Sequence, residues 1–473
     1  MPEISTKKLT YSKAAIWKKS IIQASNASPV LYIFIGNHVP YANEASPDSL
    51  VDTISTEKNT WDNIYAAKRV TGNDAELVIP KVTWTANTKY RQYDDTINIE
   101  DLLTSSTLQN LKPMYVITSA RNVYKCLSNS ASANSTVEPT GDYTTSNGNI
   151  STADGYVWKY MYNVKPSNKF LTDTWMPAPD TTDALDYGVS SSGVIDGELT
   201  SVVVTNQGSN YRQASNIRVD GFSTGQSTVT LSNTSLTLAI FSIPALANLA
   251  NMSISGTGFA TGSYISGISN TTGVITLSSP TTNFGGNANN ITITTRVYID
   301  GDGVGAVANA VLSNTSSGVS AVNANVSKVT VTTIGTGYST ANATIYGSGA
   351  GATTRVILPP KFGHAYRPAK ELNANNVMMA VRIGELDSSE DGLISVDTSF
   401  RQYGLLKDPY KYGSTSRLEV SNANTVISQT TDLSIVAGSS YTLNEYVYQG
   451  GAANNATAYG YINAQTSNLA RLT

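Results

Sequence analysis

The sequence predicts a mainly β protein with a multidomain β-sandwich-like architecture and a few short helices near its N-terminus. Charged residues make up only 14% of the 473 residues, while tyrosine alone contributes 27 residues and glycine 36. Small polar and β-branched side chains, which fill much of the rest, favour pleated strands and tight turns over helices. A chain of this length exceeds one ordinary hydrophobic core, so we expect two to four domains.

The N-terminal region, residues 1–195, is predicted to be a β-rich α+β core domain. Ser12 can cap a short amphipathic helix in which Trp17 and Ile21 stack at i and i+4. Apolar residues at helical spacing predict a second helix over 55–70. A compact apolar run at 30–36 that ends in a glycine predicts a buried strand. Further strands are expected at 76–84, 114–118, 122–127 and 155–164.

Residues 196–358 are predicted to form an inserted β-repeat module. The segment 201–211 matches 328–338 at an offset of 127 residues, and 299–306 matches 345–352 at an offset of 46. Because the two offsets differ, the simplest interpretation is one repeat interrupted by a nested β insertion at about 220–297. Short Val/Thr/Ile runs between glycine-rich turns are typical of all-β structure.

The remaining chain is predicted to form two further parts. Residues 359–412 return to ordinary composition and are expected to rejoin the core domain, with a strong strand at 377–383. Residues 413–473 are rich in Ser, Asn, Ala and Tyr. They are predicted to form a β-rich C-terminal extension with strands near 433–436, 444–449 and 458–463.

Charge and cysteine content limit the classes of partner. The net charge is −3 and no long basic run is present, so we expect no nucleic-acid partner. No apolar run reaches the roughly 18 residues of a membrane span, and we expect no membrane insertion. The N-terminus lacks the layout of a signal peptide, which favours assembly in a host cytoplasm. Cys126 is the single cysteine and is expected to be a small buried apolar residue.

The residues that most often carry catalysis are scarce, so we expect no catalytic, cofactor-binding or metal site and no enzyme activity. The two histidines, His38 and His364, lack the spaced partners of a zinc site or a nucleophile triad and are interpreted as turn or packing residues. Asp300 and Asp302 resemble part of a calcium loop, but the bidentate glutamate that closes such a loop does not follow. Turn chemistry is the favoured interpretation of this aspartate pair.

Three sets of neighbouring carboxylates are interpreted as solvated turns rather than acid–base pairs. Adjacent residues on a strand point to opposite faces, which argues against a shared site. A carboxylate pair in a groove is nevertheless invisible in sequence, so an enzyme such as a glycosidase stays open as a third interpretation. The three sets are Asp94 with Asp95, Glu385 with Asp387, and Glu390 with Asp391.

A turn at Asp154 and Gly155 introduces the run 156–164, in which tyrosines and a tryptophan alternate with other residues. Around it the chain resembles the gene-eight baseplate wedge proteins of T-even-type contractile-tailed bacteriophages. The resembling segments follow the family's order and anchor roughly 1–190 and 360–412. They are 31–41, 78–84 with Tyr90, 122–127, 151–162 and 400–409.

This resemblance implies a β-rich structural subunit that forms a homodimer and builds the baseplate wedge of the virion tail beside other wedge proteins. It implies no catalytic residues. The repeat module and the tail after residue 412 depart from the family pattern, so the resemblance is silent about them. The alternative is a host-surface or glycan-binding tail protein, because sugar sites commonly combine an aromatic platform with amides.

Overall fold

In a computed structural model the chain is mainly β, as the sequence predicts. The structure describes residues 7–23, 30–37, 40–47, 49, 51–97, 113–180, 193–211, 214–222, 224–232, 249–269, 272–282, 286–313, 324–383, 399–410, 415–418, 426–428, 431–436, 438–442, 445–465 and 469–472.

Three α-helices and 27 strands are assigned in these residues. The helices are α1 Lys7–Gln23, α2 Ile54–Asp62 and α3 Pro368–Glu371. The strands before the repeat module are β1 Leu31–Gly36, β2 Ile64–Arg69, β3 Ala75–Pro80, β4 Tyr115–Ile117, β5 Asn122–Asn129, β6 Asn149–Ser151, β7 Tyr156–Asn163 and β8 Trp175–Pro177. Those of the module are β9 Ser201–Ser209, β10 Ala214–Phe222, β11 Thr228–Ser232, β12 Ser253–Ser255, β13 Ile265–Ile268, β14 Val274–Leu277, β15 Gly286–Thr294, β16 Arg296–Gly301, β17 Val304–Leu312, β18 Val326–Thr336, β19 Ala341–Tyr346 and β20 Ala350–Ile357. The last are β21 Asn376–Met379, β22 Gln402–Lys407, β23 Val426–Ser428, β24 Thr431–Ser434, β25 Tyr446–Gln449, β26 Ala458–Gln465 and β27 Leu469–Leu472.

The strands belong to two compact units, one of residues 1–79 with 374–473 and the other of residues 80–373. The sequence-based boundaries at 195/196, 358/359 and 412/413 do not coincide with these limits, and that finer division stays a prediction. Among the helices in the described residues, none has both the length and the apolar run that crossing a bilayer requires.

The first unit is built on an antiparallel sheet in the order β22-β1-β2-β23. Tyr32 and Phe34 lie in its core on one face of β1, and Leu31 packs on the other side against Ile21 of α1. A buried ion pair between Lys18 and Glu76 joins α1 to β3 at 2.5 Å. A second sheet, β24-β27-β26-β25, holds the C-terminal strands.

The helix predictions are right in part. Ser12 lies inside α1, which begins five residues earlier, so it is not the cap. The second predicted helix ends at Asp62, after a start capped by Thr53, whose side chain accepts from the Thr56 N–H. Residues 64–69 form β2 instead, because they pair with β1 from Ile64 to Arg69 and with β23 at residues 66–68, and tertiary pairing outweighs local periodicity. The strand predicted at 377–383 is likewise limited to β21, the partner of β3.

The second unit begins with an antiparallel sheet in the order β4-β5-β7-β6. Its core is aromatic: Tyr156 stacks on Trp158 at a centroid distance of 5.4 Å, and Tyr90 meets the same indole edge-on at 5.5 Å. Cys126 is buried in this cluster. The alternating aromatic run at 156–164 is therefore core, although Tyr162 lies outside the cluster and donates its hydroxyl to the Pro177 carbonyl.

The internal repeat is visible as paired strands in register. Val304 lies opposite Thr336 in the β17–β18 pair, and the matching residues Ala350 and Ser209 lie opposite each other in the β20–β9 pair. Both pairs shift register at equivalent positions, after Val307 in one copy and after residue 353 in the other. Two copies of one strand pair therefore make up the module.

The two copies meet at β16 and β19, which are themselves equivalent strands. Ile299 and Ile345 are equivalent positions of the two copies, as are Val297 and Ala343. Ile299 lies opposite Ala343, and Val297 lies opposite Ile345, so exchanging the copies turns one pair into the other. An approximate two-fold axis therefore passes through this strand pair. The equivalent strands β9 and β18 also lie side by side, and Leu199, two residues before β9, donates its N–H to the Ile334 carbonyl of β18. Strand β16 pairs with β17, and β19 lies beside β20, so the six strands β9 and β16–β20 form a closed ring.

The nested insertion is a separate sheet, β12-β15-β10-β11-β14-β13. It has its own apolar core, which includes Ile254, Ile265, Ile275 and Ile291. Its first and last strands pair with each other antiparallel, so the insertion leaves the ring and returns to it at neighbouring points.

Candidate functional site

Two buried lysines mark the most unusual chemistry of the second unit. Lys125 of β5 and Lys159 of β7 are cross-strand neighbours, and both are fully buried. Lysine is almost never buried without a partner, because desolvating its charge is costly. Each of these lysines has its own carboxylate, Glu371 of α3 for Lys125 and Glu198 for Lys159. We call these four residues and His364 the buried charge cluster.

Lys125 and His364 share the carboxylate of Glu371. The Lys125 Nζ donates to Glu371 Oε1 at 2.6 Å, and His364 Nδ1 lies 2.5 Å from the same oxygen. His364 Nε2 lies 2.9 Å from the hydroxyl of Thr200. The ring of Tyr93 covers both side chains, with Lys125 Nζ 3.5 Å from its centroid and His364 packed against it edge-on. Strand β5, the turn at 364, α3 and residue 200 are thereby tied together.

Burial and charge set the protonation states of these groups. Burial would raise the pKa of Glu371, but Lys125 and His364 together outweigh it and lower the pKa to about 2. Burial, followed by the charge of Lys125, lowers the pKa of His364. A neutral imidazole fits the contacts, with Nδ1–H donating to Glu371 and Nε2 accepting from Thr200. Burial also lowers the pKa of Lys125, and Glu371 opposes that shift.

Lys159 has a second set of partners. Its Nζ lies 3.4 and 3.5 Å from the two oxygens of Glu198 and donates to the backbone carbonyl of Asn147 at 3.1 Å. The Asn149 side chain donates its Nδ2 to Glu198 at 3.2 Å. The Oδ1 atom of Asn149 is buried and has no hydrogen-bond partner among the described residues. Residue 159 is thus held between two turns and one carboxylate.

A cleft of about 720 Å³ opens beside the buried charge cluster. Its walls are mostly hydroxyls, amides and aliphatic side chains from the end of β5, the turn before β6, and the repeat strands β9 and β18. Thr200 and Asn149 lie in its wall and also bond to cluster residues. Ser201, 6% exposed, lines the same wall, and its hydroxyl has no partner among the residues described.

The geometry of the cluster supports a structural role. The side chains of Lys125 and Glu198 have no exposed surface, so a substrate cannot reach them without unfolding of the wall. Groups of three or more His, Cys, Asp or Glu side chains that could hold a metal do not occur in the described part of the chain. Instead, the charges of the lysines are compensated by the carboxylates. These ion pairs fix the sheet to the segments that carry Glu198, His364 and Glu371.

The residues singled out from sequence have different positions. His364 belongs to the buried charge cluster, while His38 lies outside the described residues, as do Glu385, Asp387, Glu390 and Asp391. Asp302 is fully exposed and accepts hydrogen bonds from Ser339 and Thr340, which is turn chemistry and lowers its pKa. Burial raises the pKa of Cys126.

Asp94 and Asp95 do not point to opposite faces as a strand pair would. They lie in a turn and both bind one side chain: Arg355 Nη2 contacts Asp94 at 2.5 Å and Nη1 contacts Asp95 at 2.6 Å. No local sequence pattern indicated this guanidinium, which is 260 residues away along the chain. None indicated the two lysines either, because a lysine in an alternating strand is normally taken for a solvent-facing residue.

No known protein-family model matches this chain, and no curated protein sequence matches it.

Proposed function

We propose that this protein is a structural subunit of a contractile-tail baseplate wedge that acts through protein–protein contacts in the virion. The observation that carries the proposal is the ordered series of motifs that resemble the gene-eight wedge proteins. Those motifs hold scaffold residues: Tyr124, Tyr156 and Trp158 share one aromatic core, and the segment 31–36 is the central strand of the first unit.

The buried charge cluster supports the same proposal. Its ionic groups are paired with each other and lie inside the unit, where they hold segments together and are shielded from solutes. An ion-paired interior of this kind adds geometric specificity more readily than net stability. A wedge subunit that must keep its shape while the baseplate rearranges would use such rigidity.

A second candidate function, glycan binding at the host surface, is favoured by one observation. Four tyrosines lie on one face of the β25–β26 hairpin, since Tyr446 is opposite Tyr461 and Tyr448 is opposite Tyr459. Tyr448 and Tyr459 are 45% and 71% exposed. Exposed tyrosine rings can stack on sugar rings or bury area at a protein interface.

The two functions predict different behaviour of the purified chain. As a wedge subunit it should be a homodimer in size-exclusion chromatography with light scattering, and it should co-elute with other wedge proteins of the same virus. The triple variant Tyr446→Ser, Tyr448→Ser and Tyr459→Ser separates the candidates on a glycan array. A monomer that joins no wedge protein, and that retains glycans only while these tyrosines are present, would refute the wedge proposal and establish the second function.

A further inference from the structure

Lys159 and Asn149 are placed as a reactive pair. They face each other directly on the antiparallel strands β7 and β6, where cross-strand side chains start about 5 Å apart. Glu198 contacts both of them: one of its oxygens accepts from Asn149 Nδ2 at 3.2 Å and lies 3.5 Å from Lys159 Nζ. The carboxyl group of Glu198 therefore contacts both the amine of Lys159 and the carboxamide of Asn149.

The surroundings of this trio exclude water from the amine and the carboxyl group. The side chain of Lys159 is 1% exposed and that of Glu198 is fully buried. Tyr143 and Tyr160 flank the adjoining Gly148. The side-chain oxygen of Asn149, Oδ1, is buried and accepts no hydrogen bond from any described residue. A buried acceptor without a partner requires an explanation, and a role in chemistry is one.

We propose that Lys159 and Asn149 form an intramolecular isopeptide bond, with Glu198 transferring the protons. The ion pair of Lys159 and Glu198 holds the same protons as a neutral amine beside a carboxylic acid, so transfer of one proton from Nζ to Glu198 gives the nucleophile and the acid together. The neutral Nζ attacks Cγ of Asn149 while the Glu198 acid protonates the buried Oδ1.

The collapse of this tetrahedral intermediate completes the exchange. A proton of the former amine passes through Glu198 to Nδ2, the Cγ–Nδ2 bond breaks and ammonia leaves. The proton on Oδ1 then returns to the Glu198 carboxylate as the neutral amide forms. The products are one secondary amide and one ammonia molecule, so neither an oxidant nor a second reactant is required. Asn149 lines the cleft, which gives ammonia an exit.

The bond would fasten β6 to the middle of β7 covalently. Cys126 is the single cysteine of the chain, so an intrachain disulfide cannot supply such a link. The neighbouring Lys125 is an internal comparison, because its polar partners are Glu371 and His364 rather than a carboxamide. We therefore expect Lys159 to be linked and Lys125 to stay a free amine.

Mass spectrometry of the intact, folded full-length protein tests the bond. Loss of one ammonia lowers the mass by about 17 Da relative to the sequence. The matched control is Lys159→Arg, which keeps the positive charge beside Glu198 but cannot form the amide, and it should have the full sequence mass. Asn149→Ala and Glu198→Gln should also restore the full mass.

Peptide mapping distinguishes this bond from a succinimide at Asn147–Gly148, which also loses ammonia. Trypsin cannot cut after an acylated lysine, so residues 126–169 should survive as one fragment that is uncut at 159 and carries the loss of about 17 Da. A succinimide would leave the site at 159 open to trypsin. Cleavage after Lys125 should be complete. A folded wild-type protein of full sequence mass, or an ammonia loss that persists in Lys159→Arg, would overturn the proposal.

Discussion

Tyr211 and Tyr338 occupy equivalent positions in the two copies of the repeat and make equivalent hydrogen bonds. The Tyr211 hydroxyl accepts from the Ala352 N–H at 3.2 Å, and the Tyr338 hydroxyl accepts from the Ala306 N–H at 3.3 Å. Each ring lies over a glycine-rich turn of its own copy. The glycines of the repeated Gly-x-Gly pattern therefore leave room for the tyrosine ring in each copy.

Glycine at the turn positions should be essential for this packing. A Cβ at Gly303 would lie 2.4 Å from Cγ of Tyr338, and one at Gly349 would lie 2.4 Å from the Ser209 carbonyl. We expect Gly303→Ala and Gly349→Ala each to destabilise the second unit by about 1–3 kcal/mol through overpacking. Urea denaturation followed by intrinsic fluorescence measures the loss. Gly451→Ala, which meets nothing within 4 Å, is the control and should have little effect.

Removing the shared carboxylate of the buried charge cluster should be costly. Glu371→Gln leaves Lys125 buried without its counter-charge, and we expect a loss of about 3–5 kcal/mol in the free energy of unfolding. Replacing both, as in Lys125→Met with Glu371→Leu, should recover much of that loss, because no charge is then left unpaired. The exposed pair of Arg401 and Glu44 is the comparison, where Glu44→Gln should cost at most about 1 kcal/mol. Equal losses in both single variants would contradict a buried role for Glu371.

Stability should fall in acid in two steps. The pKa of His364 in the folded protein lies below its ordinary value of 6.5. As the pH drops below about 6.5, this histidine therefore binds a proton in the unfolded chain before it does so in the folded protein, and the free energy of unfolding falls. The pKa of Glu371 is lowered from 4.5 to about 2, so its contribution is present above pH 4.5 and is lost between 4.5 and 2.

Thermal unfolding from pH 8 to pH 3 checks this pH dependence. His364→Gln cannot titrate, and it should flatten the upper part of the stability profile, near pH 6. The lower part should remain but be smaller, because Lys125 still lowers the pKa of Glu371 while the contribution of His364 is lost. An unchanged slope near pH 6 in this variant would show that His364 does not take up its proton on unfolding.

The nested sheet should be removable. Ala214 and Ile293 lie opposite each other at its two ends, and its apolar core is made of its own residues. Deleting 214–294 and joining the ends with a short Gly-Ser linker should leave the ring of β9 and β16–β20 folded. Circular dichroism and amide protection of β17–β18 would report this. Loss of that protection would show that the ring requires the insertion.

The sequence predicted the strand-rich class, the positions of nine of the 27 assigned strands and the repeat, because these depend on local patterns of apolar residues and glycine. It did not predict β2, since the pairing that overrides helical spacing at Ile64 and Tyr65 comes from distant segments. The buried charge cluster was missed for a similar reason. Lys125 and Glu371 are 246 residues apart, and burial of a lysine depends on a partner that local sequence does not reveal.

The position of the chain in the virion tests the wedge proposal most directly. Gly225 lies in an open turn of the nested sheet, with nothing within 4 Å of an added Cβ, and can accept a small inserted tag. We would label that tag on intact virus particles and image them by electron microscopy. Label at the baseplate, in copies related by its symmetry, is the result we predict. Label on the fibres alone, or particles that carry none of the protein, would contradict a wedge subunit.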